Sequence, residues 1–201
     1  MTLGIATLTI RLRRHPAEPS FLLLWRDPAK VATSGGTYGA IPTGEFQPSS
    51  VTQWDRCNDF DLWRNMVREY SEEFLGEPEH DGTRSQPIDY ERWPLFQRLQ
   101  AARSDGSVGA FFLGLGLNAL TLGATILTAV VIDDDVFSEV FGSMVRFNEE
   151  GEIVAVGGGT PTEGVPFTEA AVRRMLESEP MTASGAGCLA LAWQHRDTLG
   201  L

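Results

Sequence analysis

The sequence predicts an α/β fold built on a mixed β-sheet, and three observations predict it. Leu3–Arg13 alternates and is rich in Thr and Ile, as a half-buried strand requires. Leu62, Met66, Tyr70 and Phe74 recur at i+4, with Trp63 and Val67 beside them, which is the apolar stripe of a core-facing helix. Gly106 to Ile132 carries no charged residue, yet it divides at Asn118-Ala119-Leu120-Thr121 into two strand-like halves. Strands and helices that interleave in this way fit one α/β domain over residues 1–201.

The elements follow in order. After the strand at Leu3–Arg13, the Pro16 and Pro19 segment turns the chain, and Ser20–Arg26 reads as a second, more buried strand. Lys30–Gly36 is loop-like, Tyr38–Pro42 a short strand, and Thr43-Gly44-Glu45 a turn. Phe46–Phe60 reads as irregular. Asp61 is a good N-cap for the helix that follows, and Gly76 with Pro78 stops it. Glu77–Pro94 is a polar loop and Pro94–Arg103 a helix. Val108–Leu117 and Ala124–Ile132 are strands, and Asp133-Asp134-Asp135 caps a short helix over Val136–Val145. Glu152–Val156 is a strand and Gly157–Gly164 a glycine loop. Thr168 caps a helix ending near Ser178, and a last helix covers Ala186–Thr198.

Bulk properties narrow the function classes. A chain of 201 residues can bury a real core. Its net charge of −11 argues against direct nucleic-acid binding, which needs a basic patch. A polyanionic substrate would be repelled unless a local Arg or a divalent cation intervened. Cys57 and Cys188 are far apart without metal spacing, so they read as free thiols in a reducing compartment. Met1-Thr2-Leu3-Gly4 lacks a signal-peptide pattern, and a cytoplasmic location is expected. The uncharged run has the length of a bilayer span. Its glycines at Gly109, Gly114, Gly116 and Gly123 and its β-branched second half favour two buried strands joined by a short turn instead.

Chemistry concentrates in Arg68-Glu69-Tyr70-Ser71-Glu72-Glu73. Glu69, Glu72 and Glu73 fall within about one helical turn and close to one face. Carboxylates that crowded repel one another, and a hard divalent cation is the natural offset. Arg68 precedes Glu72 by one turn and is placed to pair with it. The bland alternative is a solvated helix face. His15, His80 and His195 share no ligand spacing, and Gly157-Gly158-Gly159 does not lead into a phosphate-binding loop.

This segment resembles the core of the Nudix box, whose pattern is Gly, five residues, Glu, seven residues, Arg-Glu, an apolar residue, any residue, Glu-Glu, any residue, Gly and an apolar residue. The strand ending in Trp25-Arg26 and the Tyr38–Phe46 stretch are similar to the family's upstream strand and turn. The resemblance implies a Nudix-like α/β/α sandwich with a mixed sheet. It also implies a hydrolase of a small diphosphate compound that uses Mg²⁺ or Mn²⁺ to bridge phosphate oxygens and ionise water. It makes Glu69 and Glu73 metal ligands and Glu72 a ligand or a water-mediated one. It makes Arg68 the residue that orients the cluster through a charge-assisted hydrogen bond. The base would be one of these glutamates or a distal carboxylate, with Asp133–Asp135 favoured over Glu149 and Glu150. Arg26, Gly44 and Trp54 are candidate substrate contacts, and a homodimer is an expectation of the same kind.

The flanks depart from the pattern. Leu75 stands where the box has Gly, with Gly76 one residue late, and Phe60 stands where it has the earlier Glu. Asp59 and Asp61 flank Phe60 out of register, and Gln47–Asp61 reads as an insertion. These departures keep open a second reading, a Nudix-fold ligand-binding or regulatory module without turnover.

Overall fold

The computed structural model describes residues 3–13, 17–79, 86–146, 148, 150–154 and 163–201. His15, His80, Glu149 and the glycine run at 157–159 lie outside the described residues. β1 (Gly4–Leu12) pairs in parallel with β7 (Ala124–Asp133) from Gly4↔Thr125 to Leu12↔Asp133. β6 (Val108–Leu117) pairs antiparallel with β7, so the uncharged run is a β-hairpin, as expected. Among the described residues no helix is long and apolar enough to cross a membrane.

β2 (Ser20–Phe21) and β5 (Thr43–Glu45) pair antiparallel with β1. β9 (Val165–Pro166) extends β2, giving the mixed sheet order β6-β7-β1-β2-β9. β3 (Leu23–Arg26) joins β4 (Thr37–Ala40) and β8 (Gly151–Ile153) in a separate antiparallel sheet. The expected single strand at Ser20–Arg26 is thus two strands that change sheets at Leu22. An unbroken apolar run hides such a break, because both halves are buried. Thr43–Glu45, expected as a turn, is a strand whose hydrogen bonds go to β1.

Helices cover both faces of the mixed sheet. α2 (Leu62–Leu75), α3 (Pro94–Asp105) and α4 (Asp134–Phe141) share one core with Ile5, Ile126, Val130 and Ile132. α5 (Glu169–Glu177) and α6 (Ala183–Gln194) share the other with Leu8, Ile10, Leu127 and Val131. The alternation of β1 and β7 divides their residues between the two cores. The Phe46–Phe60 stretch contains α1 (Gln53–Asp59), and the last helix breaks at His195 before α7 (Arg196–Leu199).

α2 is specified as expected. The Asp61 carboxylate accepts from the Arg64 N–H at 2.9 Å, and Gly76 ends the helix at φ 67°. Met66, Val67, Tyr70 and Phe74 are buried, and the Tyr70, Phe74 and Phe141 rings pack with centroids 5.0–5.2 Å apart. The Tyr70 hydroxyl shares a 2.8 Å hydrogen bond with Thr9 on β1. The Thr9 hydroxyl also donates to the Ile41 carbonyl, so it keeps a partner if Tyr70 loses its own.

Phe74→Ala should therefore lower unfolding free energy by about 3–5 kcal/mol through the cavity it leaves. Tyr70→Phe should cost only about 0.5–1.5 kcal/mol. Urea titrations of both variants check this, and equal losses would contradict the assigned packing.

A carboxylate pair beside a polar cleft

Burying the apolar stripe of α2 aims the adjoining face of the helix at β5 and at the segment before β8. Glu73 ends up between them. The Thr43 N–H donates to Glu73 Oε1 at 2.5 Å, and Asn148 Nδ2 donates to Oε2 at 3.3 Å. Burial pushes the Glu73 carboxyl well above its ordinary range; Glu69 and Glu150 add to the shift, and the Thr43 hydrogen bond opposes it.

Glu69 is one turn away. Its carboxylate lies against Gly44: a Cβ built there would fall 2.2 Å from Glu69 Cδ and Oε1. Only a residue without a side chain admits that approach. Asn65 Nδ2 reaches Glu69 Oε1 at 3.5 Å. Burial, then the neighbouring Glu72, push the Glu69 carboxyl up to about 8, while Arg68 pulls it down. Gly44, a candidate substrate contact in the sequence, is thus the seat of Glu69.

Arg68 faces elsewhere than expected. It is buried and donates from Nη2 to the Gln47 carbonyl at 2.6 Å. Its Nη1 lies 3.9 Å from Asp59 Oδ2. Asp59 is fully buried and also accepts from the Ser49 N–H and hydroxyl, Asn58 Nδ2 and the Tyr90 hydroxyl. Arg68 therefore ties the α1 insertion to α2, and its influence on Glu69 is through space. Asp59 sits one position from the box register but supplies the carboxylate that faces Arg68. Phe60, at the register position, is exposed and stacks on Phe46 with centroids 4.7 Å apart.

The distal carboxylates change places. Asp133–Asp135 lie at the end of β7 that pairs with Leu12, whereas Gly44 pairs with Ile5 near the start of β1. At about 3.3 Å per residue, roughly 23 Å of strand separates them. Asp134 is occupied by Arg11 at 2.5 Å and lies 3.6 Å from Arg13. The expectation that Asp133–Asp135 supply the distal group is therefore corrected, since sheet direction takes them to the far end. Glu150 is the loop carboxylate that acts on Glu73, and it pairs with Arg26 Nη1 at 2.6 Å.

A cleft of about 500 Å³ opens beside these groups, lined by Arg26, Thr43, Gly44, Glu45 and Glu150. Hairpin residues Gly116–Asn118 and the α6 start, Thr182–Ser184, complete its rim. Glu69 and Glu73 stand behind the Thr43–Gly44 wall, and neither they nor Glu72 line the cleft. Arg26 does, and its Nε is buried without a hydrogen-bond partner. Trp54 stands half-exposed on α1, away from the cleft lining. His195 caps α6, Cys57 is exposed, and Cys188 is buried; both thiols are free. Arg26 and Glu150 meet across 124 residues of chain, with Asn148 beside them on the same loop, and nothing local in the sequence marks their meeting.

Among the described residues, no three His, Cys, Asp or Glu side chains are grouped to hold a metal ion. The donors present still suit a hard cation. Glu69 and Glu73 are crowded oxygen donors that resist ionisation, and Mg²⁺ commonly takes one or two carboxylates and completes its shell with water and substrate phosphate.

No family model and no curated protein matches the sequence. Solved structures do. A mutT/nudix family protein from Listeria innocua aligns with a TM-score of 0.50 at 13% identity, over 99% of this chain and 96% of that one. An Ap4A hydrolase from C. elegans aligns at 0.46 and 12%, over 100% of each chain. A NUDIX hydrolase from Alicyclobacillus acidocaldarius aligns at 0.45 and 14%, over 94% and 90%. The fold is Nudix-like, with a mixed sheet between helices.

In metal-free protein, Glu69 and Glu73 bind protons more tightly folded than unfolded. Their contribution to stability is full below the ordinary Glu value of 4.5 and is lost as pH rises through about 8 for Glu69. The melting temperature in EDTA should fall over that interval, and Glu69→Gln should flatten the fall. Gly44→Ala should displace the Glu69 carboxylate into solvent, and an NMR titration should then return its midpoint toward 4.5. An unchanged midpoint would show that the Gly44 contact does not hold Glu69.

Proposed function

We propose that the chain is a metal-dependent hydrolase of a small diphosphate compound, with the site at Glu69, Glu72 and Glu73. One observation carries the reading: a Nudix-like fold holds two half-buried, mutually repelling carboxylates on one helix, seated against the Thr43–Gly44 backbone. Glu69 and Glu73 are the ligands for Mg²⁺ or Mn²⁺, and Glu72 is a ligand directly or through water. Bound there, the cation would neutralise phosphate charge and lower the pKa of a water.

The chain's own groups do the rest. Thr43 and Asn148 fix both oxygens of Glu73. Arg26, which lines the cleft and pairs with Glu150 through Nη1, donates from its guanidinium to a phosphate oxygen of the substrate. Glu150 replaces Asp133–Asp135 as the candidate distal base that takes a proton from the attacking water. Arg68 acts as a positioning residue, because it locks α1 and the Gln47 backbone onto α2. The substrate approaches through the Arg26–Glu150 side, so binding requires this ion pair to open or to share its guanidinium.

A second reading is favoured by the way the glutamates stand behind the cleft wall. A ligand could then occupy the cleft without meeting them, as in a binding module that does not turn over.

Incubation with Mg²⁺ and a panel of nucleoside diphosphate derivatives, sugar nucleotides and prenyl diphosphates separates the two. Hydrolysis should appear for at least one compound and fall about 100-fold or more in Glu73→Gln. A compound that raises the melting temperature without forming product supports the binding module. Turnover untouched by Glu73→Gln would remove the assigned site.

A further inference from the structure

The β6–β7 hairpin runs past the helices that cover the rest of the sheet. Among the described residues, the α2–α3–α4 core reaches β6 only at Val108 and Ala110. After a register irregularity between Phe112 and Gly114, Leu115 faces Ile126 and Leu117 faces Ala124. Phe112, Leu115 and Leu117 thereby share one side of the sheet, and they are 64–66% exposed. Leu120 and Leu122 of the connecting turn are 95% and 61% exposed. Five large apolar side chains open to water on one hairpin mark a contact surface, not scattered surface leucines.

We propose that the hairpin tip inserts into the surface of a neutral, zwitterionic lipid bilayer. The hydrogen bonds of the turn are the first argument. Backbone N–H groups that leave water for lipid need partners inside the protein. Five of the six in the turn at residues 118–123 find one within the turn. The Asn118 N–H donates to the Gly123 carbonyl at 2.9 Å, and the Leu122 N–H to the Asn118 carbonyl at 2.7 Å. The Leu120 and Thr121 N–H groups donate to Asn118 Oδ1 at 2.9 and 3.3 Å, and the Gly123 N–H to Thr121 Oγ1 at 3.3 Å. Backbone conformation is the second argument. Leu122 is held at φ 56°, in the left-handed region that glycine fills at less cost. The turn thus accepts strain to keep an apolar side chain at its tip. Shape and charge then select the occupant. A flat protein face would cover Phe112, Leu115 and Leu117 but leave the projecting Leu120 in water, whereas lipid closes around a tip. Gly106 to Ile132 holds no charge, so insertion strips no ion of its water. The same run offers no Lys or Arg to an anionic headgroup, and a chain of net charge −11 is repelled by one. Gly116, Leu117 and Asn118 also line the cleft, which therefore opens beside the bilayer.

Flotation of the full chain with phosphatidylcholine vesicles tests this. The wild type should float with them equally at about 0.1 M and about 1 M salt, and no better when phosphatidylserine is added. Leu120→Asp with Leu122→Asp should lower the partition coefficient about 100-fold or more, whereas Leu176→Asp on α5 should leave it unchanged. Hydrogen exchange on the wild type covers the case in which the double variant misfolds: amides of residues 112–123 should exchange more slowly with vesicles than without. A chain that stays in solution overturns the proposal. So does binding that needs phosphatidylserine and is lost in salt, flotation indifferent to both aspartates, or exchange that vesicles leave unchanged. Slowing that follows protein concentration without lipid overturns it too, because a protein then covers the face.

Discussion

Burial of the Met66–Tyr70–Phe74 stripe is the constraint on which the rest of the site depends. Once these side chains pack on the sheet and on Phe141, α2 has no rotational freedom. Glu69 and Glu73, next on the helix, must then meet β5. The sheet accepts them only because Gly44 has no side chain and because the Thr43 N–H turns toward Glu73. Hydrophobic burial supplies the driving force, and it carries two carboxylates into a place that penalises their charge.

That penalty gives the carboxylates their character. Solvent-exposed glutamates at this spacing would repel weakly and titrate in the ordinary range. Held behind the Thr43–Gly44 wall, they gain affinity for protons, and a divalent cation would relieve the same strain. The α1 insertion solves a related problem for Arg68. A buried guanidinium needs acceptors, and Gln47 and Asp59 provide them at the end of a segment that brings its own Ser49 to satisfy Asp59. The helix that holds the glutamates and the insertion that holds Arg68 are therefore one packed unit.

Acidity and apolarity are distributed unevenly over the molecule. The excess negative charge lies outside the β6–β7 hairpin, whose inner side packs Phe111 and Leu113 against the α6 core. Among the described residues, the α2–α3–α4 core covers its outer side only at Val108 and Ala110. A strand that is apolar on both faces reads in sequence as a buried one, whereas here Val108 alone is buried, Phe111 and Leu113 are half-buried, and Phe112, Leu115 and Leu117 are exposed.

The sequence by itself determined what depends on local spacing. Period-two and period-3.6 patterns located β1, the hairpin and α2, and Asp61 and Gly76 marked the ends of α2, because capping is settled within a turn. The spacing of Glu69, Glu72 and Glu73 placed them near one helix face and pointed to the Nudix-like fold. Tertiary structure alone decided which groups meet that face. Gly44, Asn148, Glu150 and Arg26 arrive from separate strands and loops, and their convergence depends on sheet order and strand direction. The parallel pairing of β1 with β7 sent Asp133–Asp135 to the opposite end, and the short α1 turned Asp59 rather than Phe60 toward Arg68. Neither outcome has a local signal, since register and direction are fixed by which apolar faces pack together across the whole chain.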